Sequence, residues 1–154
     1  MRKKFRVGVI GYGRMGRGFV AAMQQSEFWD IAAICDVNPK SRELAAKTVP
    51  GAIVTDDPET IFSNKSIDVV GLYTLADARP AMIRRALAAK KHVMAEKPIG
   101  ADVKTEWELV KEIEASDRLV GVNLFNRNAW YHNARHSWAS GTAAGSGSQR
   151  HSPR

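Results

Sequence analysis

Through the first 125 residues, short apolar runs of strand length alternate with stretches whose apolar residues recur at helical spacing. Phe5–Ile10 is the first run, and Met15, Phe19, Ala22 and Met23 then mark one face of a helix. Ile31–Cys35 is a second buried strand. Asn38-Pro39 opens the next helix, with asparagine as N-cap and proline at the first helical position, where its missing N–H costs nothing. Ala52–Thr55 is a weaker strand, followed by a short helix opened near Asp57-Pro58. Ile67–Tyr73 is a strong strand, with Met82, Ile83, Ala86 and Leu87 on the helix behind it. His92–Ala95 precedes a helix from about Asp102 whose inward face is Val103, Trp107, Val110 and Ile113, and Leu119–Val122 closes the series. Strands apolar on both faces, alternating with helices, predict an α/β fold: a doubly wound parallel sheet covered on both sides. Such sheets bind ligands at the carboxyl ends of their strands.

The 154 residues bound this to about one core. No apolar run approaches a membrane span. The basic start, Met1 to Lys4, is followed too soon by Gly11, Gly13, Arg14, Gly16 and Arg17 to be an export signal, so a cytoplasmic protein is expected. A single cysteine, Cys35, excludes an internal disulfide and a cysteine-based zinc site. The net charge of +7 raises nucleic-acid binding, but its distribution argues against it. All 16 acidic residues lie at or before Asp117, where they nearly balance the basic ones, whereas Arg118 to Arg154 carries five arginines and no acid. The excess belongs to the last quarter of the chain and not to a folded face.

Gly11-Tyr-Gly-Arg-Met-Gly16 fits G-x-G-x-x-G. Three glycines in six residues mean little alone, since any strand-to-helix turn can need them. Here the motif leaves a strand, opens a helix, and is followed 20 residues after Gly16 by Asp36 at the end of the second strand. That order predicts a Rossmann dinucleotide site: Gly11 for the tight turn, Gly13 for backbone approach to the pyrophosphate, Gly16 for close helix–strand packing. The amides through Tyr12, Arg14 and Met15 and the helix N-terminus would receive the anion. Asp36 would accept from the adenosine ribose hydroxyls and repel a 2′-phosphate, which favours NAD over NADP. Helix capping is the competing role for Asp36, and Asn38 is better placed for it. Arg42 is expected at a solvated position, with contact to adenine or a 2′-phosphate as its alternative.

Lys91-His-Val-Met-Ala-Glu-Lys-Pro98, at this distance behind the glycine loop, resembles the glucose–fructose oxidoreductase / inositol dehydrogenase (Gfo/Idh/MocA) family, from about Lys4 to Gly141. The resemblance implies an NAD(P)-dependent oxidoreductase acting on a hydroxyl or carbonyl of a sugar, cyclitol or related small molecule. By that likeness Lys97 would assist proton movement at the reacting carbon, with Glu96 and Lys97 beside the nicotinamide ribose and Thr74 and Asn126 among the cofactor contacts. Pro98 independently restricts Lys97 to an extended conformation, and leaves the bond between them free to be cis or trans. The chain departs from the family after Thr74: where proline, asparagine and then a histidine are usual stand Leu75, Ala76 and Arg79. Lys90 stands where a glycine commonly ends the helix, at a cost of roughly 1 kcal/mol. His92 is expected to be structural.

Residues 1–126 therefore form the expected dinucleotide-binding domain, with 127–140 as the helix that leads, in the family, into a substrate domain. Residues 141–154, rich in Gly, Ala, Ser and Arg without a large apolar side chain, are expected to be disordered. That tail resembles a shifted reading frame in GC-rich DNA, with a short linker as the plain alternative. The expectation is a cofactor half that has lost its substrate domain, with no metal site, no membrane partner and a small-molecule substrate only once the second domain is supplied. His132 and His136 lack a third ligand and read as solvated. Trp130, Tyr131 and Trp138, left uncovered, would promote self-association. A stand-alone nucleotide-binding or interaction module is the competing reading.

Overall fold

The computed structural model describes residues 4–124; Asn126, the aromatic and histidine residues from Trp130 to Trp138 and the tail lie outside them. Six strands appear among the described residues: β1 (Phe5–Ile10), β2 (Trp29–Cys35), β3 (Ile53–Thr55), β4 (Val69–Leu72), β5 (His92–Ala95) and β6 (Val120–Val122). All pair in parallel, in the order β3-β2-β1-β4-β5-β6. The intervening helices are α1 (Arg14–Gln24), α2 (Pro39–Thr48), α3 (Glu59–Phe62), α4 (Arg79–Ala88) and α5 (Val103–Glu114). The sheet is thus the doubly wound one predicted.

Alternation along the central strands splits the core in two. Val7 and Val9 of β1, Ile34 of β2 and Val69 of β4 pack with Val20 and Met23 of α1 and Ala45 of α2. Ile10, Cys35, Val70 and Leu72 pack with Ile61 and Phe62 of α3, Ile83 and Ala86 of α4, and Leu109 of α5. Among the described residues, no helix is long and apolar enough to cross a membrane.

Two helix faces differ from the expected stripes. On α1 the buried positions are Gly16, Val20 and Met23, with Phe19 half-buried, whereas Met15 and Ala22 are exposed. Met15 looks along the helix end toward a crevice. On α5 the buried residue is Leu109, flanked by half-buried Val110 and Ile113, while Val103 and Trp107 are 70% and 63% exposed. Packing of Leu109 into the core sets the helix face, and half-buried Glu106 accepts from the Gly100 amide through Oε1 at 3.2 Å, with Trp107 on the outer side. The helix starts are as expected: Asn38 Oδ1 accepts from Lys40 N at 2.9 Å, and Asp102 Oδ1 from Thr105 N at 2.9 Å. His92 is structural, its Nδ1 accepting from the Leu119 amide at 3.0 Å.

Candidate dinucleotide site

β1 pairs with β2 on one side and β4 on the other, and the chain leaves it in opposite directions, so the strand order reverses there. At its carboxyl end the Gly11 amide donates to Cys35 O at 2.8 Å and the Tyr73 amide to Ile10 O at 2.8 Å, which pins the loop between the neighbouring strands. Gly11 takes φ +93°, and a β-carbon there would meet Tyr73 O at 2.6 Å. One at Gly16 would stand 2.0 Å from Gly11 O, so α1 rests directly on the loop. Gly13 is different. Nothing lies within 4 Å of the β-carbon it lacks, and no side chain caps the helix that begins after it. The protein's own packing thus accounts for two glycines, and the third clears open space in front of uncapped helix-terminal amides. That is the cradle a diphosphate fits.

The space is a crevice of about 680 Å³. Of the residues selected by sequence, Gly11, Gly13, Arg14, Met15, Asp36, Thr74, Glu96 and Lys97 line it. Tyr12 and Gly16 do not. The Tyr12 ring is buried in the core, its hydroxyl 2.6 Å from Thr48 Oγ1, and its amide is taken by Asp36. Asp36 itself is more engaged than expected: Oδ2 accepts from Tyr12 N at 2.6 Å and Oδ1 from Asn38 N at 2.8 Å. A carboxylate offers about four acceptor sites, so capacity remains for two hydroxyls. Those two bonds fix its orientation before any ligand arrives.

Arg42 is not solvated as expected. Its side chain is one-quarter exposed; Nη1 donates to the carbonyls of Asp36 and Val37 at 2.9 and 3.0 Å, and Nη2 stands 3.3 Å from Asp56. It braces the backbone behind Asp36. Cys35, also on the crevice wall, has a thiol pushed up to about 11, chiefly by burial and then by the charges of Asp36, Asp57 and Asp56, so it stays protonated.

On the far side, Glu96 is buried at the end of β5. It accepts from the Lys97 amide at 3.2 Å and from Asn123 Nδ2, while the Asn123 amide donates to Ala95 O at 2.8 Å. The Lys97-Pro98 bond is cis, and Lys97 is exposed on the crevice wall. Sequence reading missed two residues here. Asn123, immediately after β6, clasps Glu96, and Arg79, noted only as a departure, is buried at the start of α4.

The family model of the oxidoreductase family with an NAD-binding Rossmann fold (Gfo/Idh/MocA) matches residues 5–124. The chain belongs to that family. Inositol 2-dehydrogenase from Rhodococcus jostii is 32% identical over 124 residues, which are 79% of this chain and 34% of the relative. Inositol 2-dehydrogenase from an Arthrobacter species is 28% identical over 74% of this chain and 34% of its own length. A Lactobacillus casei scyllo-inositol dehydrogenase, crystallised with NAD(H) and scyllo-inositol, superposes with a TM-score of 0.82 at 24% identity, covering 91% of this chain and 42% of that one. The chain spans about a third of the length of the curated relatives it matches. What it contains is the family's NAD-binding domain.

Proposed function

We propose that this domain holds NAD across the β1/β4 switch point for an oxidoreductase acting on a hydroxyl or carbonyl of a cyclitol, sugar or similar polyol. One observation carries the reading: a single crevice brings the open Gly13 amides together with an oriented Asp36 on the β2 side and with Thr74, Glu96 and Lys97 on the β4/β5 side. A diphosphate on the loop would leave one nucleoside for each side. Asp36 has the adenosine ribose hydroxyls, and its charge disfavours a 2′-phosphate, so NAD is preferred to NADP. The nicotinamide half then falls against Thr74, Glu96 and Lys97. When bound, the nicotinamide takes up or gives back hydride. Lys97, exposed at that end, holds or delivers the proton at the substrate oxygen. Glu96, fixed by Asn123, orients the Lys97 backbone. The polyol substrate class rests on the names of the relatives, and its capture calls on a second domain to cover the crevice. We place this chemistry in the cytoplasm.

Titration calorimetry of the purified chain with NAD and NADP tests the reading. Wild type should bind NAD saturably and more tightly than NADP. Asp36→Ala should lose about 10- to 100-fold in NAD affinity, the worth of hydrogen bonds to a charged group, and narrow the preference over NADP. Failure of the wild-type chain to bind either dinucleotide would refute it.

A further inference from the structure

The crevice wall contains a buried cation that the loop motif does not require. Arg79 opens α4 and is 3% exposed. Its Nη1 donates to the Pro98 carbonyl and its Nη2 to the Thr74 carbonyl. The side chain therefore ties the loop after β4 to the loop after β5, the two segments against which the nicotinamide half is placed. Nε is buried and has no acceptor among the described residues. Both bonded acceptors are neutral carbonyls, so hydrogen bonding spreads the positive charge without cancelling it. Burial pulls the guanidinium pKa below the usual arginine range, and the Glu96 charge pulls it back up. Arginine remains ionised under such conditions, so the charge is permanent.

Glu96 is the counterweight. It is 6% exposed, and its carboxylate bonds to an amide N–H and a side-chain amide, neither of which carries charge. Arg79 and Glu96 both line the crevice, together with Lys97. Lys97 is exposed, so water and salt screen its charge, whereas charges held under the surface act at lower effective dielectric and over longer range.

The two redox forms of a nicotinamide dinucleotide differ by one positive charge on the ring. We propose that Arg79 is a positioning residue that also sets the preference between them: its fixed cation opposes the charged ring of NAD⁺ and favours NADH, and Glu96 offsets it in part. The proposal rests on the reading of the nicotinamide side given above and assigns this domain a redox preference through a buried residue that the glycine loop does not require. A fixed charge near a ligand changes the relative affinity of two ligands that differ only in charge, whatever its part in folding.

Dissociation constants of NAD⁺ and NADH, measured separately from neutral pH down to about 6 for wild type, Arg79→Gln, Arg79→Lys and Glu96→Gln, test this. Arg79→Gln should move the NAD⁺-to-NADH affinity ratio toward NAD⁺ by about fivefold or more. Arg79→Lys loses the two-pronged grip and holds its cation only while the buried ammonium stays protonated, so its ratio should return toward wild type as the pH is lowered to about 6, even if both affinities fall. Glu96→Gln should move the ratio toward NADH. A purely structural role would weaken both forms alike and leave the ratio unchanged. An unchanged ratio in Arg79→Gln, or equal shifts in Arg79→Lys and Arg79→Gln at every pH down to about 6, would overturn the proposal. Should Arg79→Gln not fold, Arg79→Met, which keeps an unbranched stem without the charge, takes its place with the same expected direction. A wild-type chain binding neither form fails the site itself; intact binding with an unmoved ratio fails only Arg79.

Discussion

At the scale of single residues, Lys90 shows how a local cost can be read and removed. It takes φ 58° at the end of α4, where the Lys90 amide donates to Leu87 O at 2.9 Å and the Lys91 amide to Ala86 O at 2.9 Å. These two bonds form a Schellman motif, whose left-handed position favours glycine. Against the strain stands only an exposed contact of 3.5 Å between Lys90 Nζ and Asp117, a type of pair worth little in water. Lys90→Gly should therefore stabilise the chain by about 0.5–1 kcal/mol, measured as a higher urea midpoint at unchanged slope. A lower midpoint would mean the ion pair outweighs the backbone. The same residue scale shows what sequence could and could not disclose. The placement of the glycines and Asp36 was legible because it follows from one strand–turn–helix unit. Arg79 and Asn123 were not, because each bonds groups 19 or 27 positions away and its meaning depends on strand order.

For whole elements, the strands were the most legible part, since β1 and β5 have the predicted bounds and the others differ by a few terminal residues. Buried parallel strands declare themselves by being apolar throughout, whereas a helix must also disclose its orientation. In α5 the apolar residues offer two stripes, one through Trp107 and Val110 and one through Leu109 and Ile113, and spacing alone does not separate them. Tertiary contact does. Leu109 is fully buried against α4 and the sheet, while Trp107 lies in solvent. Leu109→Ala should then cost about 2–5 kcal/mol by opening a cavity. Trp107→Lys, despite removing the larger side chain, should stay within about 0.5 kcal/mol of wild type. Chemical denaturation of both variants checks this, and a large loss at Trp107 with little at Leu109 would restore the stripe that the sequence suggested.

Across the described residues, the helices on the two faces of the sheet are joined to one another differently, with the Arg42–Asp56 pair tying α2 to the segment after β3. On one face, neutral bonds reach the end of α2, from α1 through Gln24 Nε2 to Thr48 O at 3.1 Å and from the glycine loop through the Tyr12 hydroxyl to Thr48 Oγ1. On the other, ion pairs tie α4 to both neighbours, Arg84 to Glu112 of α5 at 2.7 Å and Arg85 to Glu59 of α3. Each arginine, by hydrogen bonding, holds its glutamate below the ordinary carboxylate range. Asp102 is lowered by its bonds from Thr105 as the cap of α5, and Asp117, beside Arg118, is pushed down to about 2. For a depressed carboxylate the sign is fixed. The unfolded chain takes up protons first, so the contribution is complete at neutral pH and is lost as pH falls from about 4.5 toward 2. Each pair is exposed, and its individual worth is small and salt-screened. Their effect should appear as a difference between faces. On acidification from about pH 5 to pH 3, amide protection factors, taken relative to the intrinsic exchange rate at each pH, should fall at Ile83 and Leu109 before Val20 and Met23, and salt should narrow the gap by weakening the ion pairs at the start. Simultaneous loss on both faces would mean that the sheet opens as one unit and that the surface pairs across α3, α4 and α5 do not govern how it begins.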